Sequence, residues 1–280
     1  MIARRTVLSL GVSQLVCWGI SYYLVGIFGD AIGAELGWSR SVVHGGFSAA
    51  LLVMAVSSRL TGALIDRHGG RRVMAAGSVL TALGCAALAL SRSLPAYYAA
   101  WLCLGLAMRF TLYDAAFAAL ARIGGPGAKK AISQITLLGG LASTTFWPIG
   151  HLLAETYGWR GALLAYAGFA LLTIPLHLAI PEARHDPRAA GGGAPERAPL
   201  AQSERDRWIA GALYALVATL VAFLNSAMSA HMIGILIGVG LAAPVAVSVA
   251  MLRGVGQSLA RLAEVLSGSR LHPQIGRAHV

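Results

Sequence analysis

Apolar runs long enough to cross a lipid bilayer recur along the chain, and they constrain its fold more than any other feature. Two of them cover residues 42–65 and 73–90, and a strongly basic stretch, residues 62–72, joins them. About 20 residues of α-helix, rising about 1.5 Å each, span the roughly 30 Å hydrocarbon core of a membrane. The basic stretch is therefore predicted to be a hairpin turn at a membrane surface.

The composition agrees with a chain made mostly of such runs. Hydrophobic residues make up 57% of the 280 residues and charged residues only 12%, against about 25% charged residues in soluble domains. The net charge of +11 would suggest nucleic-acid binding in a soluble protein, but the basic residues fall between the apolar runs. We therefore predict an all-α polytopic membrane protein that is embedded in the lipid bilayer and binds no nucleic acid.

Eight membrane spans are predicted from the lengths of the apolar runs. The polar segment between the sixth and seventh spans carries prolines, mixed charges and three consecutive glycines, which is typical of a flexible linker. We divide the chain into a six-helix bundle (1–181), a cytoplasmic linker (182–208), the first two helices of an incomplete second bundle (209–268) and a tail (269–280). The spans are residues 6–29, 41–65, 73–90, 97–120, 131–154, 161–180, 209–235 and 245–266.

The basic residues between the spans predict the orientation of the chain, because Lys and Arg collect on the cytoplasmic side of a membrane. With the N-terminus inside, three arginines face outward: Arg40, Arg92 and Arg160. Thirteen basic residues then face inward: Arg4, Arg5, Arg67, Arg71, Arg72, Arg122, Lys129, Lys130, Arg184, Arg188, Arg197, Arg205 and Arg207. We therefore expect a multi-pass protein of the cell inner membrane with a cytoplasmic N-terminus.

The basic hairpin resembles the signature loop between the second and third helices of major facilitator superfamily transporters, which reads roughly G-x-L-A-D-R-x-G-R-R. Gly70 stands where that pattern prefers a basic residue, and Arg72 offers one at the next position. The matching positions are Gly62, Leu64, Asp66, Arg67, Gly69 and Arg71.

The resemblance implies a major facilitator-type fold of two six-helix halves, of which this chain holds the first half and the first two helices of the second. It also implies a conformational-switch loop, in which Asp66 latches against a helix of the second half. Its members are Gly62, Asp66, Arg67, Gly69, Arg71 and Arg72. The last six residues, 275–280, resemble translated adapter sequence, so we interpret the chain as a C-terminally truncated fragment and the tail as a read-end artefact.

Two arginines inside predicted spans are candidates for substrate binding, since a charge at the centre of a span costs about 2.5–3.5 kcal/mol on insertion scales. Arg109 lies in span four and Arg253 in span eight, where Gln257 follows four residues later on the same helix face. A guanidinium offers a planar fork that suits a carboxylate. One arginine from each half could therefore hold a small organic anion. Two alternatives remain: Arg109 could pair with Asp114, and Arg253 could line a water-filled cavity.

Polar and aromatic residues on other spans complete the predicted site. Gln14, Trp18 and Tyr22 are spaced to share one face of span one, either as a cavity wall or as aromatic packing. The predicted substrate-binding set is Arg109, Arg253, Gln14, Tyr22, Tyr113, Gln257 and Asn225, although a hydrogen bond between helices is the favoured role for Asn225. Asp114 is the candidate proton-coupling acid.

The predicted function is secondary active transport of a small, carboxylate-like anion by alternating access, coupled to a proton or a counter-substrate. An arginine in the eighth helix and the segment 36–40 resemble the oxalate and monocarboxylate branch of the family. Motifs of hydrolases and phosphate-binding loops are missing, so we expect a monomeric transporter without enzymatic activity, cofactor or metal. Efflux of drugs or amphipathic solutes, and a non-transporting sensor or scaffold, are the alternatives.

Overall fold

The computed structural model describes residues 2–185 and 203–267, and within this part of the chain the secondary structure is helical without strands. The elements follow the apolar runs because a backbone in lipid must satisfy its hydrogen bonds internally. They are α1 (Arg4–Cys17), a π-helical turn (Trp18–Tyr22), α2 (Leu24–Leu36), α3 (Arg40–Val56), α4 (Ser58–His68), α5 (Gly70–Leu90), α6 (Leu94–Thr111), α7 (Tyr113–Gly124), a 3₁₀ turn (Gly125–Gly127), α8 (Ala128–Gly140), α9 (Ala142–Leu178), α10 (Glu204–Gly238) and α11 (Ala243–Ser267).

Length and apolar composition make several of these helices suited to crossing a membrane. In the described residues four continuous stretches qualify: Arg4–Leu36, Gly70–Leu90, Leu94–Leu178 and Glu204–Gly238. The pair Arg40–Val56 and Ser58–His68, bent by 53°, makes a fifth if it is one span. The predicted eighth span, α11, falls outside this set; its 25 residues are long enough to cross, but they carry Arg253, Gln257 and Arg261.

The stretch Leu94–Leu178 is 85 residues long and would measure about 130 Å if it were straight, so it must fold back. It reverses at the 3₁₀ turn, since the ring of Tyr113 lies against Gly139. It reverses again at Gly158, since the Tyr166 hydroxyl donates to the carbonyl of Phe146 at 3.2 Å. The stretch therefore contains three membrane-length segments, at the positions of the predicted spans four, five and six.

Three predicted spans are interrupted at places that the sequence analysis did not indicate. Span two bends at Ser57, span four contains an extended residue at Leu112, and span five breaks at Leu141. Span one changes from α- to π-helix at Trp18. A proline kink does not explain the break in span five, because Pro148 lies inside α9, which is non-helical only at Gly158.

The predicted domain boundaries fall partly outside the described residues. Residues 186–202, which are most of the linker, and residues 268–280, which include the proposed tail, are not among the described residues. The assignments of linker and tail therefore remain predictions. The helix α10 begins at Glu204, inside the segment assigned to the linker, where the Ser203 side chain caps it by accepting from the backbone N–H of Asp206.

The buried core lies between the helices of the first bundle and is rich in aromatic rings. Trp101, Trp147, Tyr97 and Tyr166 are among its largest fully buried side chains. Tyr97 satisfies its hydroxyl by donating to the carbonyl of Val43 at 2.7 Å, which ties α6 to α3. A buried hydroxyl needs such a partner, so these bonds fix how the helices are rotated against each other.

An ion pair fixes the end of the bundle that carries Arg40, which we call the Arg40 end. Glu35 of α2 accepts from Arg160 Nε at 2.9 Å and from Trp159 Nε1 at 2.6 Å. Arg160 also donates to the carbonyl of Ser91 at 3.1 Å and to that of Ala89, at the end of α5. These contacts hold the reversal at Gly158 against two other helices.

Replacing Gly158 with alanine should destabilise the protein by about 1–3 kcal/mol, the usual cost of this backbone region for a residue with a side chain. Gly158 has φ 67° and ψ 168°, a conformation almost restricted to glycine. The measurement is thermal unfolding in detergent micelles. Gly168→Ala is the matched control, since Gly168 is helical and no described residue lies within 4 Å of its Cβ position. Equal melting temperatures for the two variants would contradict the prediction.

Candidate functional site

A group of aromatic rings surrounds the π-helical turn of span one. In this turn Tyr23 N–H bonds back to the carbonyl of Trp18, five residues earlier, at 3.3 Å. The wider turn lets consecutive tyrosines flank one ring, with centroids of Tyr22 and Tyr23 at 4.7 Å and 6.3 Å from that of Trp18. Tyr113 of α7 packs on the same indole at 5.0 Å. π-helical turns are rare and frequently lie at functional sites.

Arg253 lies at one end of this aromatic group, where α11 meets α10. Its guanidinium donates to Ser229 Oγ at 2.9 Å, to Asn225 Oδ1 at 2.5 Å and to the Asn225 carbonyl at 3.1 Å. Its Cζ atom lies 5.8 Å from the centre of the Tyr23 ring. All three hydrogen-bond acceptors are neutral, and in the described part of the chain Arg253 forms no ion pair with a carboxylate. Its charge is solvated by dipoles and a ring face but not neutralised.

Arg109 has a different environment. It donates to Asp114 Oδ2 at 2.7 Å and to the hydroxyl of Ser58, at the bend of span two. The extended residue Leu112 makes the ion pair possible, since it separates the last turn of α6 from the first turn of α7. A carboxylate in the first turn of a helix is also favoured by the helix dipole. Arg109 is thus neutralised by Asp114.

The remaining predicted site residues occupy separate positions around the aromatic group. Gln14 is fully buried and donates to the Thr111 carbonyl at 2.8 Å, while its Oε1 has no partner among the described residues. Tyr22 Oη lies 2.6 Å from Ser226 Oγ, which links span one to α10. Gln257 is partly exposed on α11, and no hydrogen bond to it occurs within the described ranges.

The structure brings together only part of the predicted set. Tyr22, Asn225 and Arg253 belong to one continuous group, and Tyr113 joins it through Trp18. Among the described residues Arg109 and Arg253 share no partner; a chain of rings, Tyr23, Trp18 and Tyr113, lies between Arg253 and the helix that carries Asp114. Sequence reasoning missed the roles of Tyr23 and Ser229, and no spacing rule indicates them, because Arg253 reaches both only across helix interfaces.

The basic hairpin forms a tight turn between α4 and α5. Gly69 has φ 82° and ψ 153°, which requires glycine at this position. A Cβ atom on Gly69 would lie 3.1 Å from the guanidinium of Arg122. Arg72 pairs with Glu182 across 3.5 Å. Asp66 is exposed, and among the residues that the structure describes it has no ion-pair partner.

A metal site is not formed by the side chains that the structure describes: groups of three or more His, Cys, Asp or Glu with suitable positions are absent from residues 2–185 and 203–263. The three cysteines are free thiols at positions 17, 85 and 103. The polar chemistry available near the aromatic group is therefore that of arginine, amides and hydroxyls.

Comparison with known families agrees with the hairpin and the helical architecture. The profile of the Major Facilitator Superfamily matches residues 10–275, nearly the whole chain. The chain belongs to the major facilitator superfamily. The predicted fold class, an all-α polytopic membrane protein of the major facilitator type, is thereby confirmed.

Three relatives of this major facilitator chain show how far the similarity extends. An uncharacterized 38 kDa protein in the 23S RNA operon of Thermoproteus tenax is 32% identical over 221 residues, 78% of this chain and 56% of the relative. Mouse monocarboxylate transporter 11 is 34% identical over 54% of this chain and 33% of its own length. The multidrug resistance protein MdtL of Shewanella oneidensis is 28% identical over 66% and 46%. The alignments thus span from about a third to just over half of these relatives.

Proposed function

We propose that this protein is a secondary active transporter that moves a small, carboxylate-like organic anion by alternating access. Membership of a transporter family supports the reaction class. The single observation that carries the choice of substrate is the uncompensated charge of Arg253. A partly buried guanidinium without an acidic partner in the described chain is a favourable position for an anion.

The surroundings of Arg253 favour an anion with an apolar body. Trp18 Nε1 and Trp147 Nε1, on two rings that pack against Tyr23, are buried donors without a partner in the described residues. Buried donors normally have an acceptor, and carboxylate oxygens would serve them. The ring faces would contact the rest of the molecule. The similarity to a monocarboxylate transporter agrees with this substrate class.

Arg109 and Asp114 are proposed as the proton-coupling pair, with Arg109 binding the substrate only in a second state. The Asp114 side chain is 58% exposed, so protons can reach it. Protonation of Asp114 would remove the charge that neutralises Arg109 and leave the guanidinium available to the anion. Gln14, Tyr113 and Gln257 complete the proposed path around the aromatic group. A counter-substrate remains the alternative coupling partner.

Alternating access is proposed to occur by rocking of the two sides of the linker against each other. Gly26 of α2 lies so close to α10 that a Cβ atom would be 2.5 Å from the Ser229 carbonyl. We call this contact the α2–α10 seam and propose that it forms the barrier at the Arg40 end. The hairpin with Gly62, Asp66 and Arg71 lies at the other end of span two, where we propose that it acts as the conformational switch.

The proposed setting is a monomer in a cell inner membrane with its N-terminus in the cytoplasm. The excess of basic residues at the hairpin end supports this orientation. It places the Arg40 end outside and the linker inside. The division into a six-helix bundle, a cytoplasmic linker and the start of a second bundle is part of the same proposal.

Efflux of amphipathic compounds is the second candidate function. The rings of Trp18, Tyr22, Tyr23 and Phe47 form a continuous surface, and aromatic faces also bind organic cations. The similarity to a multidrug resistance protein favours the same alternative. Arg253 opposes it, because an uncompensated positive charge repels a cationic solute.

A binding competition in nanodiscs distinguishes the two functions. We expect short labelled carboxylates to bind saturably and to be displaced by other carboxylates but not by lipophilic cations. Tryptophan fluorescence provides a second readout, since Trp18 and Trp147 flank Tyr23. Saturable binding of the cations, with no binding of carboxylates, would replace the proposal with the efflux alternative. Uptake of the bound carboxylate into proteoliposomes would then test transport itself.

A further inference from the structure

A cavity of about 400 Å³ lies at the Arg40 end, between α2, α3 and α10. Four polar side chains line it: Asp30, Arg40, His44 and His231. Arg40 binds Asp30 through two parallel hydrogen bonds of 2.9 Å and 2.8 Å, which tie α3 to α2. Both carboxylate oxygens are thus engaged by Arg40, and the pair adds no net charge to the cavity.

Two stacked imidazole rings connect α3 to α10 across this cavity. The ring centroids of His44 and His231 are 4.5 Å apart and their planes differ by 17°. His44 Nδ1 lies 2.9 Å from the carbonyl of Arg40. A carbonyl only accepts, so Nδ1 carries the hydrogen and Nε2 is left with a free lone pair. His44 can therefore take up a proton without losing its existing hydrogen bond.

The charged and titratable groups around the stack leave a protonated pair without compensation. Asp30 on α2 is held by Arg40, and the Arg40 guanidinium is itself a cation on the same wall. From α6, the phenol of Tyr98 donates to the Val42 carbonyl at 3.0 Å and is neutral. Two imidazolium rings at stacking distance would therefore repel each other and Arg40; because His231 and Arg40 are exposed, water weakens this repulsion without removing it.

We propose that this cavity is a proton-binding gate: the neutral His44–His231 stack joins α10 to α3, the Asp30–Arg40 pair joins α3 to α2, together they hold the α2–α10 seam closed, and protonation of both rings opens it. Histidine is the side chain whose charge most often changes within the physiological pH range, so the gate responds to the acidity of the solution at the Arg40 end. This adds a proton dependence to the alternating access proposed above and rests on it. It uses residues separate from Arg253, Arg109 and Asp114.

Spin-label distances across the seam test the gate without any substrate. Labels at Ala34→Cys and Val239→Cys occupy exposed positions on α2 and beyond α10, in a background with Cys103→Ser. We expect a longer-distance population to grow as the pH falls from about 8 to about 5.5, the range in which histidines commonly gain a proton. In the double variant His44→Phe/His231→Phe, whose rings can stack but cannot be protonated, the short distance should persist at both pH values.

The controls separate the gate from a general pH effect. His151→Phe, on α9, removes an imidazole outside the cavity and should leave the pH response unchanged. The double Phe variant should still bind carboxylates at about pH 8, so a failure of the gate is distinguishable from a failure of the anion site. A wild-type distance that does not change with pH, or a double variant that opens as the wild type does, overturns the proposal.

Discussion

Replacing Arg253 with alanine is expected to weaken carboxylate binding by about 10- to 100-fold. Charge-assisted hydrogen bonds contribute about 1.5–3 kcal/mol each, and the variant removes every such bond that Arg253 could make to the anion. Because its present acceptors are the neutral Ser229 and Asn225, the guanidinium can exchange them for a ligand without breaking an ion pair. Isothermal titration or a labelled-ligand assay in nanodiscs measures the effect.

Two further variants show whether Arg253 acts through its charge and geometry. Arg253→Lys keeps the charge but loses the planar fork, so we expect intermediate affinity. Arg205→Ala removes an exposed arginine from the first turn of α10 and should leave binding unchanged. If Arg253→Ala folds, with an unchanged melting temperature, and binds carboxylates as tightly as the wild type, the anion site is not at Arg253.

Replacing Gly254 with leucine should separate α11 from α9. A Cβ atom on Gly254 would lie 2.8 Å from Ser143 Oγ and 2.9 Å from the Gly140 carbonyl, and would also overlap the Thr144 hydroxyl. Two of these groups are backbone or fully buried, so the helices must move apart, and overpacking of this kind costs about 1–3 kcal/mol or more. The hydrogen bond from Thr144 to the Met251 carbonyl, 2.7 Å in the native packing, would be lost as well.

A disulfide between α8 and α11, beside the same contact, reports on the separation, because the Gly140 carbonyl of α8 is one of the groups that Gly254 touches. A Cβ atom on Gly140 would lie 2.7 Å from Ser258 Oγ, so Gly140→Cys with Ser258→Cys approaches the Cβ–Cβ spacing of about 3.8 Å that a disulfide needs. We expect the bond to form in an otherwise native chain and to fail with Gly254→Leu. Gly256→Leu is the matched control, because no described residue lies within 4 Å of its Cβ position. Equal cross-linking in both leucine variants would show that α11 tolerates the added bulk.

The helical fold could be predicted because each span is encoded locally. Apolar length and the basic hairpin are properties of short windows, and the hairpin pattern was specific enough to indicate the family. The interruptions were not predictable in this way. Ser57, Leu112 and Leu141 are neither glycine nor proline, so the residue types at these positions do not indicate a break.

The candidate site was predictable only at the level of residue type. An arginine inside an apolar run is conspicuous, and both arginines were singled out for that reason. The two arginines have different environments because of backbone geometry that residue spacing in the sequence does not indicate. In a continuous helix Arg109 and Asp114, five residues apart, would point away from each other, and only the extended Leu112 lets them pair. The His44–His231 stack joins residues from opposite sides of the linker, a pairing that no local pattern reveals.

The π-helical turn gives span one a property that a uniform helix would lack. The π-helical turn contains one residue more than an α-helical turn would. Every later residue of the span is therefore rotated by about 100° around the helix axis. Span one therefore has two helical parts with separate contacts: Gln14 in the first part bonds to Thr111, and Gly26 in the second part lies against α10. Deleting a single residue from the π-helical turn would rotate the second part of the span and move Gly26 and Asp30 away from their neighbours. The first part would keep its contacts.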